Sequence, residues 1–210
     1  MSSSRIDHQA GLLQLARAGN PSAMQDLFAC YQHYLRLLAR SNLSSKVKSR
    51  VTVSDVIQET FLHAIESFEQ FRGASTDEFV AWIRSILASR IADAHEKHLH
   101  AARRDVRREV SMEAINASLS RSSFGLASIA HDHLQQSPGT IASQQEHAIL
   151  VADAIGNLPP DYQQVIVMRH FDGRSFDQIA QELGRSSGAV RMLWLRAIQR
   201  MKRNLTEIRS

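Results

Sequence analysis

Arg191, Arg196, Arg200 and Arg203, with Lys202 and Arg209, crowd the C-terminal end of this 210-residue chain. A guanidinium is permanently charged and offers a planar fork of donors, which suits phosphate oxygens and the guanine edge. A second basic run, Lys97, Arg103, Arg104, Arg107 and Arg108, lies mid-chain. Both runs sit well against a polyanion, although a solvated helix face is the usual fate of a charge run. The ten histidines raise metal chemistry instead, with His95, His98 and His100 in one stretch and His131 and His133 in another. His95 and His98 are one helical turn apart, but no cysteine and few carboxylates accompany them to complete a ligand set. No metal and no cofactor are therefore expected. A Gly-rich phosphate loop is missing from the sequence, so no catalytic residue is assigned and the chain is expected not to be an enzyme. Cys30, the single cysteine, excludes an internal disulfide, and its neighbours Leu27, Phe28 and Tyr31 predict a buried thiol.

The arginines near the C-terminus need a helix to present them. The segment FDQIAQELGRSSGAVRML, residues 176–193, supplies one. Ile179, Ala180 and Leu183 are apolar at helical spacing. Gly184 follows, suited to the left-handed backbone where a helix stops. Polar Arg185-Ser186-Ser187 comes next, with Ser186 or Ser187 available as a cap. A second periodic run continues through Val190, Leu193, Ala197 and Met201. This is the pattern of a helix-turn-helix. Val190 and Leu193 would pin the second helix, leaving Arg191, Leu195 and Arg196 outward, and such a helix fits the DNA major groove. An ordinary helical hairpin shares the periodicity but not the full set of constrained positions.

The rest of the chain predicts an all-α protein of two helical domains joined by a flexible linker, the C-terminal domain being the helix-turn-helix. Four Pro, nine Gly and 43% apolar residues suit packed helices, and the net charge of +4 is a modest basic excess. Residues 7–108 form the first block. Leu12, Leu13 and Leu15 mark a short helix broken at Gly19-Asn20-Pro21, and Leu27, Phe28, Tyr31, Leu35 and Leu38 mark a second. Residues 41–50 read as a loop. Ser54 caps a third helix with Ile57, Phe61, Ala64, Ile65, Phe68 and Phe71 as its stripe. Asp55, Gln58, Glu59, Leu62 and Glu66 lie on the opposite face, where Leu62 is out of place on a merely solvated surface and hints at a partner. After a loop at residues 71–75, a long helix carries Phe79, Trp82, Ile83, Ile86 and Ile91. Its lack of a breaker until past Arg108 predicts some 30 residues, about 45 Å. Residues 109–143 are Ser-rich, with Met112, Ile115 and Leu119 hinting at one short helix, and read as a partly disordered linker. Residues 144–208 form the second block, where Pro159 and Pro160 separate two helices ahead of the helix-turn-helix. No apolar h-region opens the chain and no run approaches the roughly 20 residues of a membrane span, so a cytoplasmic protein without membrane insertion is expected.

The chain resembles the extracytoplasmic-function type of bacterial RNA polymerase sigma factor, within the sigma-70 family. The C-terminal resemblance runs through LPPDYQQVIVMRHFDGRSFDQIAQELGRSSGAVRMLWLRA, residues 158–197, at Leu158, Pro159, Pro160, Val165, Gly173, Ser175, Ile179, Ala180, Leu183, Gly184, Gly188, Val190 and Ala197. The N-terminal resemblance covers DVIQETFLHAIESFEQF and FVAWIRSILASRIAD. It implies a non-enzymatic subunit that partners core RNA polymerase and promoter DNA. The helix carrying Asp55, Gln58, Glu59 and Leu62 would dock on the polymerase. Arg72 and Ser75 would line a pocket for a flipped base of the melted minus-ten element, with Arg84, Arg90 and Lys97 on the phosphates. Ser187 and Arg191 would read bases of the minus-thirty-five duplex, and Arg196, Arg200 and Arg203 would hold its phosphates. An anti-sigma factor is a further candidate partner, since members of the family are often controlled that way. The sequence departs from the family pattern at Ser89, Met192, Leu193 and Leu195, which touches base preference rather than fold. Trp82 could stack on a base, but its place in the apolar stripe favours the core. The alternative from another class is a stand-alone helix-turn-helix regulator whose first block senses a ligand or dimerises.

Overall fold

In the computed structural model of the chain, residues 2–99, 112–134 and 141–209 are described. They form α-helices and one 3-10 turn, with no strand among the described residues. Two compact units result, Met1–Arg121 and Ser122–Ser210.

The first unit is built from α1 (Ser2–Arg17), α2 (Pro21–Asn42), α3 (Ser45–Lys48), α4 (Val53–Glu66), a 3-10 turn (Phe68–Gln70) and α5 (Thr76–Leu99). Gly19, at φ +84°, makes the turn that ends α1. The Asn20 side chain then accepts from the Ala23 N–H at 3.1 Å, with Pro21 opening α2. The helices bury the expected stripes, Leu27, Phe28, Tyr31, Leu35 and Leu38 from α2 and Phe79, Ile83, Ile86 and Ile91 from α5. Phe79 sits at the centre of an aromatic cluster, with Phe28, Tyr31, Phe68, Phe71 and Trp82 around it at centroid distances of 5.5–6.4 Å. Burying each such side chain contributes about 2 kcal/mol before entropic costs.

Several expectations are corrected. Residues 41–50 are not simply a loop: α2 runs to Asn42 and α3 follows, because Leu43 and Val47 are buried and pull the chain back to the core. Thr52, not Ser54, caps α4, since the Ser54 hydroxyl accepts from the Arg36 guanidinium at 2.7 Å. Ile65, at the edge of the α4 stripe, is 50% exposed, and Leu15 is exposed as well. Cys30 is half-buried rather than buried. The long helix is described to Leu99, so Arg103, Arg104, Arg107 and Arg108 lie outside the described residues.

The Ser-rich stretch holds more order than its composition predicts. A 23-residue helix, α6, spans Met112–Leu134. Ile115, Leu119, Leu126 and Ile129 are buried along it. Its serines are reconciled with the helix by bonding back to it, Ser120 donating to the Asn116 carbonyl and Ser128 to the Gly125 carbonyl. The division between the two units falls within this helix.

The second unit continues through α7 (Ile141–Gly156), α8 (Pro160–His170), α9 (Phe176–Leu183) and α10 (Ser187–Arg209). Val151, Ala154, Val165, Ile166, Met168, Ile179, Val190, Ala197 and Met201 make its core. Gln163 spans the break after α7, donating to the carbonyls of Gly156 and Leu158 at 2.9 and 2.8 Å. Buried Asn204 of α10 donates to the Ala154 carbonyl of α7 at 3.2 Å. These bonds satisfy carbonyls at a helix end and in the interior, where an unmet one is costly.

Candidate functional site

Asp55, Gln58, Glu59, Leu62 and Glu66 all lie exposed on α4, and the structure adds Ile65 to that surface. The spacing of three and four residues puts them on one helical face. Leu62 is 57% exposed, so the apolar intruder in the acidic face is where the sequence placed it. Asp55 has a local task too. Its carboxylate accepts from the Thr52 N–H at 2.9 Å and the Thr52 hydroxyl at 2.7 Å, while the Asp55 N–H donates to the Thr52 hydroxyl oxygen at 3.1 Å. This reciprocal box satisfies orphan donors at the start of α4. The bonds from Thr52 hold the Asp55 carboxyl below the usual carboxylate range.

The turn before α5 is built by a second box. The Glu78 carboxylate accepts from the Ala74 and Ser75 N–H groups at 2.8 and 2.9 Å and from the Ser75 hydroxyl at 2.9 Å. Those bonds lower the Glu78 pKa, the Ala74 N–H contributing most. Gly73 permits the close turn: a Cβ there would lie 2.4 Å from the Phe71 ring and 2.8 Å from the Glu78 Cβ. The Gly73 carbonyl accepts from Arg17 of α1 at 2.8 Å. Arg72 and Ser75 are exposed on this turn, though Ser75 also serves as the α5 cap. Along α5, Arg84 reaches Ser120 of α6 at 2.9 Å and Arg90 pairs with Asp93 at 3.0 Å, whereas Lys97 is exposed. Trp82 packs against Phe71 at 5.1 Å and is half-buried, which suits a core role. His95 is buried with its Nε2 3.2 Å from the Asn42 carbonyl. No metal-binding cluster occurs among the described residues.

The helix-turn-helix forms as its residues direct. Ser175 and Gln178 close a box at the start of α9, and Gly184 ends it at φ +62°. Ser186 caps α10, accepting the Ala189 N–H at 3.2 Å, which decides between the two candidate serines. Ser187 donates a hydrogen bond to Asp177 of α9. The Arg191 guanidinium lies 5.7 Å from the centre of the Phe176 ring, which Arg169 also covers at 4.8 Å. Trp194 packs edge-on to Phe176 at 5.7 Å and donates to His170 Nε2 at 3.3 Å. Sequence reading missed this cluster; its signal was Trp194 falling one turn after Val190, inside the buried stripe. Arg196, Arg200 and Arg203 are exposed along α10. Arg185 is drawn into an ion pair with Asp161 at 2.8 Å, and Arg174 into one with Glu182. Those arginines therefore brace the motif.

Two helical units, one with an acid-rimmed apolar face and one with an arginine-bearing helix-turn-helix, have the make-up of a transcription factor with a protein partner. The family pattern Sigma-70 region 2 matches residues 30–101, and Sigma-70, region 4 matches residues 148–201. The RNA polymerase sigma factor CarQ of Myxococcus xanthus is 27% identical over 196 residues, covering 91% of this chain and 94% of that protein. The ECF RNA polymerase sigma-E factors of Salmonella typhimurium LT2 and Escherichia coli K12 are each 28% identical over 186 residues, covering 89% of this chain and 88% of theirs. A solved flagellar sigma/anti-sigma complex, sigma-28 with FlgM, overlays with a TM-score of 0.31 at 16% identity, over 90% of this chain and 98% of that one, too loosely for any inference about this one. The chain belongs to the sigma-70 family of RNA polymerase sigma factors and is of the extracytoplasmic-function type. The stand-alone regulator is not favoured, because the likeness to sigma factors runs through both blocks. No described helix is long and apolar enough to cross a membrane.

Proposed function

We propose that this sigma factor divides its work between a unit of residues 7–108, which docks on core RNA polymerase and holds the melted strand, and a unit of residues 144–208, which reads upstream duplex. Residues 109–143, α6 among them, join the two. The docking surface is the exposed face of α4, with Glu59 and Gln58 as polar contacts, Leu62 as the apolar anchor and Asp55 serving both contact and cap. Arg72 and Ser75 meet the extruded base, and Arg90 and Lys97 the backbone beside it. Ser187 and Arg191 reach base edges from the α9 side of the recognition helix, while Arg196, Arg200 and Arg203 grip phosphates. The protein works in the cytoplasm and leaves the chemistry of RNA synthesis to the polymerase. An anti-sigma protein is a further candidate partner, and Leu62 and Ile65 are apolar area that it would cover.

The observation that carries this reading is Leu62 standing 57% exposed on an acid-rimmed helix face. The test is co-elution of the purified chain with bacterial core polymerase, beside a Glu59→Lys/Leu62→Asp variant that leaves the Asp55 cap intact. We expect a one-to-one complex with the wild type and about a hundredfold weaker binding in the variant, with duplex DNA binding unchanged. Tight duplex binding by a wild type that ignores core polymerase would sink the reading.

A further inference from the structure

Met192 and Leu195 are 51% and 45% exposed on α10. Val190, Ala197, Ile198 and Met201 are buried and fix which way the helix faces. At about 100° per residue, Met192 points about 180° away from the middle of that stripe. Gly188 lies one turn before it, and Leu195 and Arg196 flank it one turn after. Ser187 and Arg191 occupy the side of the helix nearest α9, held by Asp177 and Phe176. The centre of the outward face is therefore apolar and begins with a glycine.

The fold gives no reason for this composition. A Cβ on Gly188 would meet nothing within 4 Å, and Ala would favour the helix over Gly by up to about 1 kcal/mol. A bare backbone at that position lets something outside come close. Charge says what it is. Exposed Arg191, Arg196, Arg200 and Arg203 surround the patch, and no acidic residue occurs on α10 before Glu207. That rim selects a polyanion over a protein surface of mixed sign. A polyanion with a groove wide enough for a helix and methyl groups on its floor is B-DNA containing thymine.

We infer that Met192 and Leu195 read thymine C5-methyl groups in the major groove of the upstream promoter element, with Gly188 admitting the close approach. The inference rests on the sigma-factor reading and deepens it by naming the bases. The two side chains rise about 4.5 Å apart along the helix, comparable with one base-pair step of about 3.4 Å. The thymines they meet lie on neighbouring base pairs.

The test uses holoenzyme assembled from the full chain and core polymerase, selected on duplexes randomised through the upstream element. Thymine should be enriched at two neighbouring positions. Replacing each by deoxyuridine removes one methyl and preserves pairing, and should weaken binding about fourfold per methyl. Met192→Ala and Leu195→Ala should each lose the thymine–uracil difference at one of the two positions while melting at the wild-type temperature. Gly188→Ala should fold at least as stably yet bind the selected duplex several-fold more weakly. Wild-type holoenzyme that binds thymine and uracil duplexes equally, or alanine variants that keep the full difference, would overturn the inference alone. Failure to assemble holoenzyme would instead overturn the parent reading, and the same thymine–uracil comparison on the free chain would still decide the methyl contact.

Discussion

α4 and α10 each leave a pair of large apolar side chains in solvent, three residues apart: Leu62 and Ile65 on one, Met192 and Leu195 on the other. Their exposures are alike, at 57% and 50% against 51% and 45%. The rims are opposite. Asp55, Glu59 and Glu66 border the first pair, while Arg191, Arg196, Arg200 and Arg203 border the second. Apolar burial supplies affinity without direction. Charge supplies the choice of partner and the approach to it. On the proposed reading, one local design serves two kinds of recognition, a basic protein surface and a nucleic acid, by exchanging the sign of its border.

Reversing each border is the sharpest way to break that comparison. Glu59→Lys/Glu66→Lys should cost at least about a hundredfold in polymerase affinity and leave duplex binding alone. Arg196→Glu/Arg200→Glu should do the converse. Loss of two phosphate contacts should also flatten the dependence of duplex binding on salt, by about 0.9 in log–log slope for each contact. Binding isotherms across a salt series would check this. Both partners responding to both reversals would mean that the rims act on fold rather than on recognition.

The sequence carried the framework well because helical periodicity encodes which face is buried. The stripes through Leu27 and Leu38, and through Phe79 and Ile91, lie in the core as read, and Gly184 ends α9 in the left-handed conformation its position requires. Local exceptions came from partners distant in sequence. Ser54 reads as a cap until Arg36 of α2 claims its hydroxyl. Ser187 and Arg191 read as base contacts, and nothing in the sequence signalled that Asp177 and Phe176 also engage them within the motif. In α6, composition outweighed pattern: serines suggested coil, while Ile115, Leu119, Leu126 and Ile129 already marked a helical stripe. The roles proposed for Arg72 and Ser75 depend on nucleic acid that no intramolecular contact reports.

A smaller effect separates the units through their helix caps. Ser175→Ala removes the hydroxyl that accepts the Gln178 N–H at the start of α9, and should destabilise the second unit by about 1 kcal/mol. Thermal melting would read it. Because Ser186 caps α10 independently, the recognition helix should persist, and duplex affinity should fall by less than stability does. An equal loss of both would mean that the two helices of the motif fold as one indivisible element.

The smallest expected effect is acid sensitivity confined to one unit. The boxes opening α4 and α5 are closed by Asp55 and Glu78, whose pKa values lie below their ordinary 3.8 and 4.5 because Thr52, and Ala74 with Ser75, donate to the charged carboxylates. A depressed carboxylate adds stability that is fully present above its unfolded pKa and fades as pH falls through the folded one. The N-terminus of α5 should therefore loosen progressively below about pH 4.5, and that of α4 below about pH 3.8. The box opening α9 is closed by the amide of Gln178 and does not titrate. Hydrogen-exchange protection, corrected for intrinsic rates, should fall on acidification at the Thr52, Ala74 and Ser75 amides but hold at Ser175. Glu78→Gln should abolish the pH dependence at Ala74 and Ser75 while leaving it at Thr52. Parallel acid profiles at all four amides would show that a global charge effect, not the chemistry of the caps, governs how the two units respond.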